Sequence, residues 1–182
     1  RVLIEKAVGL CEKYLGPTDA LMVRAFIDMS VDCATANPDK AERVLKKALK
    51  ICEANSEAMN CYGTRVLMNL ASVAAEQNQL PFVIRYLDRA LEVAERVPEP
   101  DRSQILEVLC YQARLYSLLN QRERFDNVAV RALKKVKEYW KYDPDFATEC
   151  MMSLFGLYQS QGRLDEARVI SKTLVDLKGI GI

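Results

Sequence analysis

No histidine occurs anywhere in the 182 residues of the chain. Histidine is the usual general base near neutral pH and the commonest metal ligand, so its absence excludes every Ser-His and Cys-His nucleophile pair. Glycine is scarce at seven residues and proline at six. No glycine-rich loop of the kind that cradles phosphate is present. The six cysteines, Cys11, Cys33, Cys52, Cys61, Cys110 and Cys150, never pair as CxxC. They stand at positions that read as helix interior, and are expected to be small buried hydrophobes in a reducing, cytoplasmic compartment. An excess of one charge is also lacking: 26 Lys plus Arg against 25 Asp plus Glu leave a net +1. That balance gives no global attraction for nucleic acid or for an anionic membrane. No apolar run nears the roughly 18 residues of a membrane span. No stretch sustains the alternation of a β-strand. The chain therefore reads as non-enzymatic, with no cofactor, metal, nucleic-acid or membrane partner.

What is present is a helical period. Half of the residues are hydrophobic. They recur at spacings of three and four, as in Ala41, Val44, Leu45, Ala48, Leu49 and Cys52, and again in Val83, Tyr86, Leu87, Ala90 and Leu91. That is one face of an α-helix. Breakers cut the pattern at Gly16-Pro17, Asn37-Pro38, Asn55-Ser56, Asn78-Gln79, Pro98-Glu99-Pro100, Asn120-Gln121, Asp143-Pro144 and Gly162-Arg163. Asn37 and Asp143, each before a proline, have the form of an N-cap followed by proline at the first helical position. The spacing predicts nine helices, each of roughly 15 to 20 residues, joined by short turns.

The chain also repeats itself. "VLMNLASVAAEQNQLPFVIRYLDRALEV" (66–93), "VLCYQARLYSLLNQRERFDNVAVRALKK" (108–135) and "CMMSLFGLYQSQGRLDEARVISKTLVDL" (150–177) superpose at intervals of 42. Leu67, Leu109 and Met151 coincide, as do Ala71, Ala113 and Phe155, then Ala74, Tyr116 and Tyr158. Asn78, Asn120 and Gly162 fall together at the turn, and Ala90 and Ala132 fall together beyond it. Small residues recur where helices must approach closely and larger ones one turn away. A fixed period with this complementarity marks a helical solenoid, in which each pair buries its apolar face only against the next.

"NLASVAAEQNQLPFVIRYLDRALEV" resembles the tetratricopeptide repeat: Leu67, Leu70 and Ala71 fit its helix A, and Tyr86, Ala90 and Leu91 its helix B. Tyr116 and Tyr158 supply the helix-A aromatic that Ala74 lacks, and "QGRLDEA" (161–167) matches the turn between the helices. The 42-residue interval exceeds the usual repeat of about 34 and is similar to the kinesin-light-chain type. The resemblance implies an all-α, right-handed α-solenoid in which 1–182 is one array. It has a leading half repeat at 1–16 and pairs at about 18–54, 57–97, 101–141 and 143–178. The chain begins inside a helical pattern without a start Met, and is expected to be a fragment of a longer one. Three departures stand out. The first pair aligns only with a one-residue slip near Asn37. Phe155 with Gly156 occupies a small-residue position, so the last helix A is expected to be shifted or loosely packed. The tail "LKGIGI" is short and apolar for a capping segment.

The resemblance further implies a concave groove lined by helix A, which receives a linear peptide or helix of a protein partner. The groove positions it assigns are Arg24 and Asp28 with Ile27 and Val31 in the first pair, and Arg65, Met68, Asn69 and Ser72 in the second. Tyr111, Arg114 and Cys110 follow in the third, and Met152, Ser153 and Gly156 in the fourth. Asn69 falls where an asparagine clamps the ligand backbone in many peptide-binding repeats, a task suited to an amide that donates and accepts at once. Met, Cys, Ile and Tyr with three arginines suggest an apolar ligand face anchored on acids. A different reading stays open: a structural or regulatory arm of a larger assembly that packs on neighbouring domains or on itself, without binding a free peptide. The stripe Lys40, Arg43, Lys47 and Lys50 reads as a solvated convex face, and the Tyr139, Trp140 and Tyr142 cluster as packing between repeats.

Overall fold

A computed structural model of the chain describes residues 6, 9–11, 13–15, 19–97 and 102–179. Among these lie eight bounded helices and no strand: α1 (Ala20–Cys33), α2 (Pro38–Ala54), α3 (Ser56–Glu76), α4 (Leu80–Arg96), α5 (Arg102–Leu118), α6 (Arg122–Tyr139), α7 (Pro144–Ser160) and α8 (Leu164–Gly179). Residues 6, 9–11, 13 and 14 are helical as well. The rest of the expected leading half repeat lies outside the described residues, as do the Pro98–Asp101 turn and the last three residues of the tail. No helix among the described residues is long and apolar enough to cross a membrane.

The chain divides into two compact units, Arg1–Pro100 and Asp101–Ile182. In the first, α1 packs on α2, α2 on α3 and α3 on α4, and α1 also meets α3. In the second, α5 packs on α6, α6 on α7 and α7 on α8, and α5 also meets α7. Within each unit the first helices of successive pairs therefore lie side by side, with the second helices closing each pair. α7 runs unbroken through Phe155 and Gly156 and keeps the register of its counterparts, so the expected shift of this helix does not occur. Phe155 is half-buried, a size its position accepts without breaking the line Met151, Leu154 and Tyr158.

The period is written most sharply in the turns. Asn78 (φ 57°), Asn120 (φ 53°) and Gly162 (φ 71°) all adopt left-handed backbone, at intervals of 42. Each follows the last turn of a first helix. The next N–H then donates back five residues: Gln79 N to Ala74 O at 2.8 Å, Gln121 N to Tyr116 O at 2.9 Å, Arg163 N to Tyr158 O at 2.9 Å. This double-bonded C-terminal cap satisfies carbonyls the helix would otherwise leave open. Gly and Asn are the residues that visit this region at least cost. The second helices start in step too, with Val83, Phe125 and Ala167 donating to Gln79, Gln121 and Arg163.

The first pair shows what the slip is. Asn37 N donates to Cys33 O, only four residues back, and Ala41 N donates to Asn37 O. Cys33 thus stands 41 residues before Ala74, and Asn37 stands 42 before Gln79. The missing residue is the left-handed one. Asn37 closes the turn instead with its side chain, which accepts from Lys40 N at 2.9 Å, ahead of Pro38. Asn55 and Asp143 cap α3 and α7 in the same way, accepting from Ala58 N at 3.2 Å and Phe146 N at 2.9 Å.

Packing follows the small–large pattern. Ala41, Ala48, Ala71, Ala90, Ala113, Ala129 and Ala132 are fully buried, next to the fully buried Leu45, Leu67, Leu87 and Phe125. The Phe125 ring meets Tyr158 edge-on at 4.9 Å between α6 and α7. Tyr139 meets Phe146 edge-on at 6.2 Å across the following turn, while Tyr142 is about half exposed. Cys33, Cys52 and Cys150 are buried as expected. Cys33 and Cys52 donate to the carbonyls of Ser30 and Ala58, and burial pushes the Cys52 thiol up to about 11. Cys11 and Cys110 are only half-buried, and Cys61 is exposed, because its place on α3 faces away from the neighbouring helices.

Polar ties join neighbouring pairs. Gln77, at the end of α3, donates to Asp39 at 2.9 Å, and Arg89 of α4 reaches Glu53 of α2 at 2.6 Å. Arg163 binds Asp126 and Glu166 and lies 4.8 Å over the Tyr158 ring. Glu42 pairs with Lys46 at 2.6 Å and is held below its ordinary 4.5, chiefly by that hydrogen bond and charge, with Gln77 adding to it against the cost of burial. Lys46 is correspondingly raised above 10.5 by its bond to Glu42.

Two outcomes follow. Asn120→Gly should leave the urea midpoint nearly unchanged, whereas Asn120→Val should lose about 1–2 kcal/mol, the cost of left-handed backbone for a side chain that cannot bond locally. For Glu42, a folded pKa below the unfolded one gives stability present above pH 4.5 and lost as pH falls through the folded value. Glu42→Gln should therefore be less stable than the parent at pH 7, and the gap should close on acidification, read from urea midpoints across pH 7 to 3.

Candidate interaction surface

α3 is surrounded by α1, α2 and α4 and is buried over most of its circumference. Besides Ser56 and Asn60 near its start, what remains open is a strip at spacings of four and three: Glu57, Cys61, Arg65, Asn69, Ser72 and Glu76. Three of the four expected contact residues of this repeat, Arg65, Asn69 and Ser72, lie on it. Met68 does not: it is 9% exposed and belongs to the core. At about 100° per residue, the position next to Asn69 turns toward the packed neighbours. Ile27 of α1 is buried for the same reason, at 4% exposure. The face in this unit is consequently more polar than Met and Ile suggest in the sequence. Arg65 and Asn69 make no hydrogen bond or ion pair among the described residues.

Arg24 and Asp28 are brought together, but with each other. Their side chains lie 3.4 Å apart and are both more than half exposed, at 63% and 55%, so the pair contributes little to stability. They border an apolar cleft of about 490 Å³ lined also by Leu10, Cys11, Tyr14, Leu15, Leu21 and Ala25. The structure thus places them against the helical residues that precede α1. Val31, on the same helix, is 65% exposed.

In the second unit the strip recurs in register. Glu107, half-buried Cys110 and Tyr111, and exposed Arg114 follow one another on α5. Glu149, exposed Met152, half-buried Ser153 and exposed Gly156 follow on α7. Met152 is 52% exposed and is the large apolar side chain of this surface. Two carboxylates went unread in the sequence: Glu107 and Glu149 stand 42 and 84 residues after Arg65. The repeat interval itself carried that signal. They make this unit's surface mixed in charge rather than uniformly basic.

Cys110 of α5 and Cys150 of α7 influence one another electrostatically: Cys150, with help from Arg114, holds the Cys110 thiol below its ordinary value against the cost of burial and the charge of Glu107. Cys150 is pushed up by Cys110 and by burial. On α2, Lys40 is half-buried and Arg43, Lys47 and Lys50 are exposed, with Lys47 lying 5.9 Å over the Phe26 ring. Among the described residues no group of three or more His, Cys, Asp or Glu is placed to hold a metal ion.

Paired helices, first helices laid side by side and a turn copied every 42 residues define a TPR-like helical-repeat protein of the all-α solenoid class. Solved structures agree across 98% of the chain. BtubC (BKLC) from P. vanneervenii superposes with a TM-score of 0.79 at 18% identity, over 72% of its own chain. A Podosopora anserina protein described as a kinesin light chain, with nearly identical TPR-like repeats, superposes at 0.69. A single-substitution form of it reaches 0.74, and both are 14% identical and covered over 85% of their length. At these identities the likeness is one of fold. No family model and no curated protein matches the chain.

The division between strip and core is measurable. Arg65→Ala and Arg114→Ala should shift stability by no more than about 0.5 kcal/mol. Met68→Ala should cost about 2–5 kcal/mol as a buried truncation. Urea titrations of the three variants check this.

Proposed function

We propose that this chain is a protein-interaction module that receives a linear segment of a partner protein on the exposed strips of its first helices. In the first unit Arg65, Asn69 and Ser72 would make the contacts. In the second, Tyr111, Arg114, Met152 and Ser153 would do so. The observation that carries this reading is the recurrence of one narrow solvent strip at a 42-residue interval on α3, α5 and α7. It holds Arg65, Asn69 and Arg114 without a hydrogen bond or ion pair to the rest of the described chain. A cation with no ion pair among the described residues suits an acidic residue of the ligand, and a half-buried amide suits its backbone. Met152 and Tyr111 supply apolar area beside Glu107 and Glu149, so the second unit suits a segment with apolar and basic residues. TPR-like neighbours fit a scaffold module.

One observation favours the second reading, an arm that packs on another domain or on itself. Leu10, Tyr14 and Leu21 around the cleft of the first unit are 57%, 70% and 58% exposed. Exposed apolar area of this kind is the usual material of an interface.

Panning a random peptide library on the chain separates the two. Convergent peptides should lose at least about tenfold in affinity, roughly 1.4 kcal/mol, on Arg65→Ala/Asn69→Ala or on Arg114→Ala. Peptides that ignore all these changes would end the strip reading. Self-association at low micromolar concentration, seen by sedimentation and abolished by Leu21→Glu, would support the arm.

A further inference from the structure

We infer that the seam between α2 and α4 is a docking surface for a short acidic segment of a partner protein that carries an aromatic or aliphatic residue among its acids. Hydrogen bonds hold the two helices alongside one another at both ends of this seam. Gln77, at the end of α3, donates to Asp39 at 2.9 Å and to Glu42 at 3.5 Å, and Arg89 of α4 donates to Glu53 of α2 at 2.6 Å. Between these ties the surface is basic and aromatic. Arg43 and Lys50 of α2 and Arg85 of α4 are exposed, and none of the three makes a hydrogen bond or ion pair among the described residues. Phe82, one turn before Arg85, is 48% exposed, and its ring stacks on that of half-buried Tyr86 at 6.4 Å. α2 by itself has no aromatic side chain, and the fold supplies the rings from α4.

The repeat does not require these rings. Phe82 stands at the register of Lys40, Arg124 and Glu166, which are charged in the other three pairs. Tyr86 stands at the register of Val44, Val128 and Ile170, which are aliphatic and buried, at 8%, 7% and 2% exposure. An aliphatic side chain therefore meets the packing need of this register in three pairs of four. The Phe82–Tyr86 pair adds apolar area that the hairpin does not use, and an exposed ring set among cations is the material of a recognition site.

Charge selects the occupant. Arg43 and Lys50 stand seven residues apart, about 10 Å along the helix, which an extended chain covers in about three residues. Carboxylates at that spacing reach both cations, and an apolar side chain beside them covers Phe82. A nucleic-acid strand fits less well. It needs successive open ring faces and an unbroken cationic track, whereas the two rings here stack on each other and Glu42, Glu53 and Asp88 border the seam. The seam is built from second helices, so it is separate from the exposed strip of α3 in the same unit.

Fluorescence anisotropy of labelled synthetic peptides, Asp and Glu around one Trp, titrated with the full chain, tests this. Binding should weaken with added salt and should lose at least about tenfold in affinity on Arg43→Gln/Lys50→Gln and on Phe82→Gln. All three side chains are exposed, so the circular dichroism of these variants should match that of the parent. Replacing the Trp of the peptide by Ala should weaken binding to the parent and have little further effect on Phe82→Gln. Arg65→Ala/Asn69→Ala should leave the affinity unchanged. Loss on Arg65→Ala/Asn69→Ala alone would overturn the inference in favour of the α3 strip. Binding of oligouridylate in place of the peptides, with the same dependence on Arg43 and Lys50, would overturn it in favour of nucleic acid. Peptides that do not bind, or that bind every variant equally, would overturn it as well.

Discussion

An α-helix can turn back on itself within a few residues only if one residue leaves the right-handed region. For an L-residue the left-handed region costs on the order of 1–2 kcal/mol, and Gly and Asn bear it best. Asn78, Asn120 and Gly162 occupy that position in three successive hairpins. Everything else in the pairs depends on it. The reversal sets where the second helix begins, and so which of its faces meets the first. A residue added to or removed from the turn would rotate the second helix by about 100° and carry its apolar stripe out of the interface. The first pair tolerates the deletion because it also changes the closing device. Asn37 caps α2 with its side chain, and Pro38 begins the helix in the geometry the cap prefers.

With the turns fixed, packing reduces to size. Fully buried alanines at 48, 90 and 132 let one helix approach another, and the large residues one turn away fill the space that is left. The Arg163 cluster shows how the polar turn joins in. Its guanidinium ties Asp126 to Glu166 and lies over Tyr158, so one side chain ties the turn to both helices of the preceding contact. The same economy leaves little of a first helix in solvent: α3, enclosed by three neighbours, keeps a narrow exposed strip.

The exposed strips differ between the two units. Arg65 and Asn69 of the first make no hydrogen bond or ion pair among the described residues. In the second, Arg114 lies near enough to Cys110 to favour its thiolate.

The helical class, the 42-residue period, the alignment of Asn78, Asn120 and Gly162 at the turn, and the alanines of the interfaces were all determined by the sequence alone. Each is a local or periodic property, and periodicity survives in one dimension. The slip at Asn37 was visible there as well, but not its cause, because the loss of a left-handed residue is a statement about backbone dihedrals. Which side of α3 stays open was likewise decided by the tertiary structure. Met68 and Asn69 are neighbours in the chain, yet one is core and the other surface, since α1, α2 and α4 close around the first and not the second. The meeting of Arg24 with the apolar cleft is of the same kind. Such contacts join residues on separate helices, and only the packing of those helices decides which of many equally spaced side chains touch.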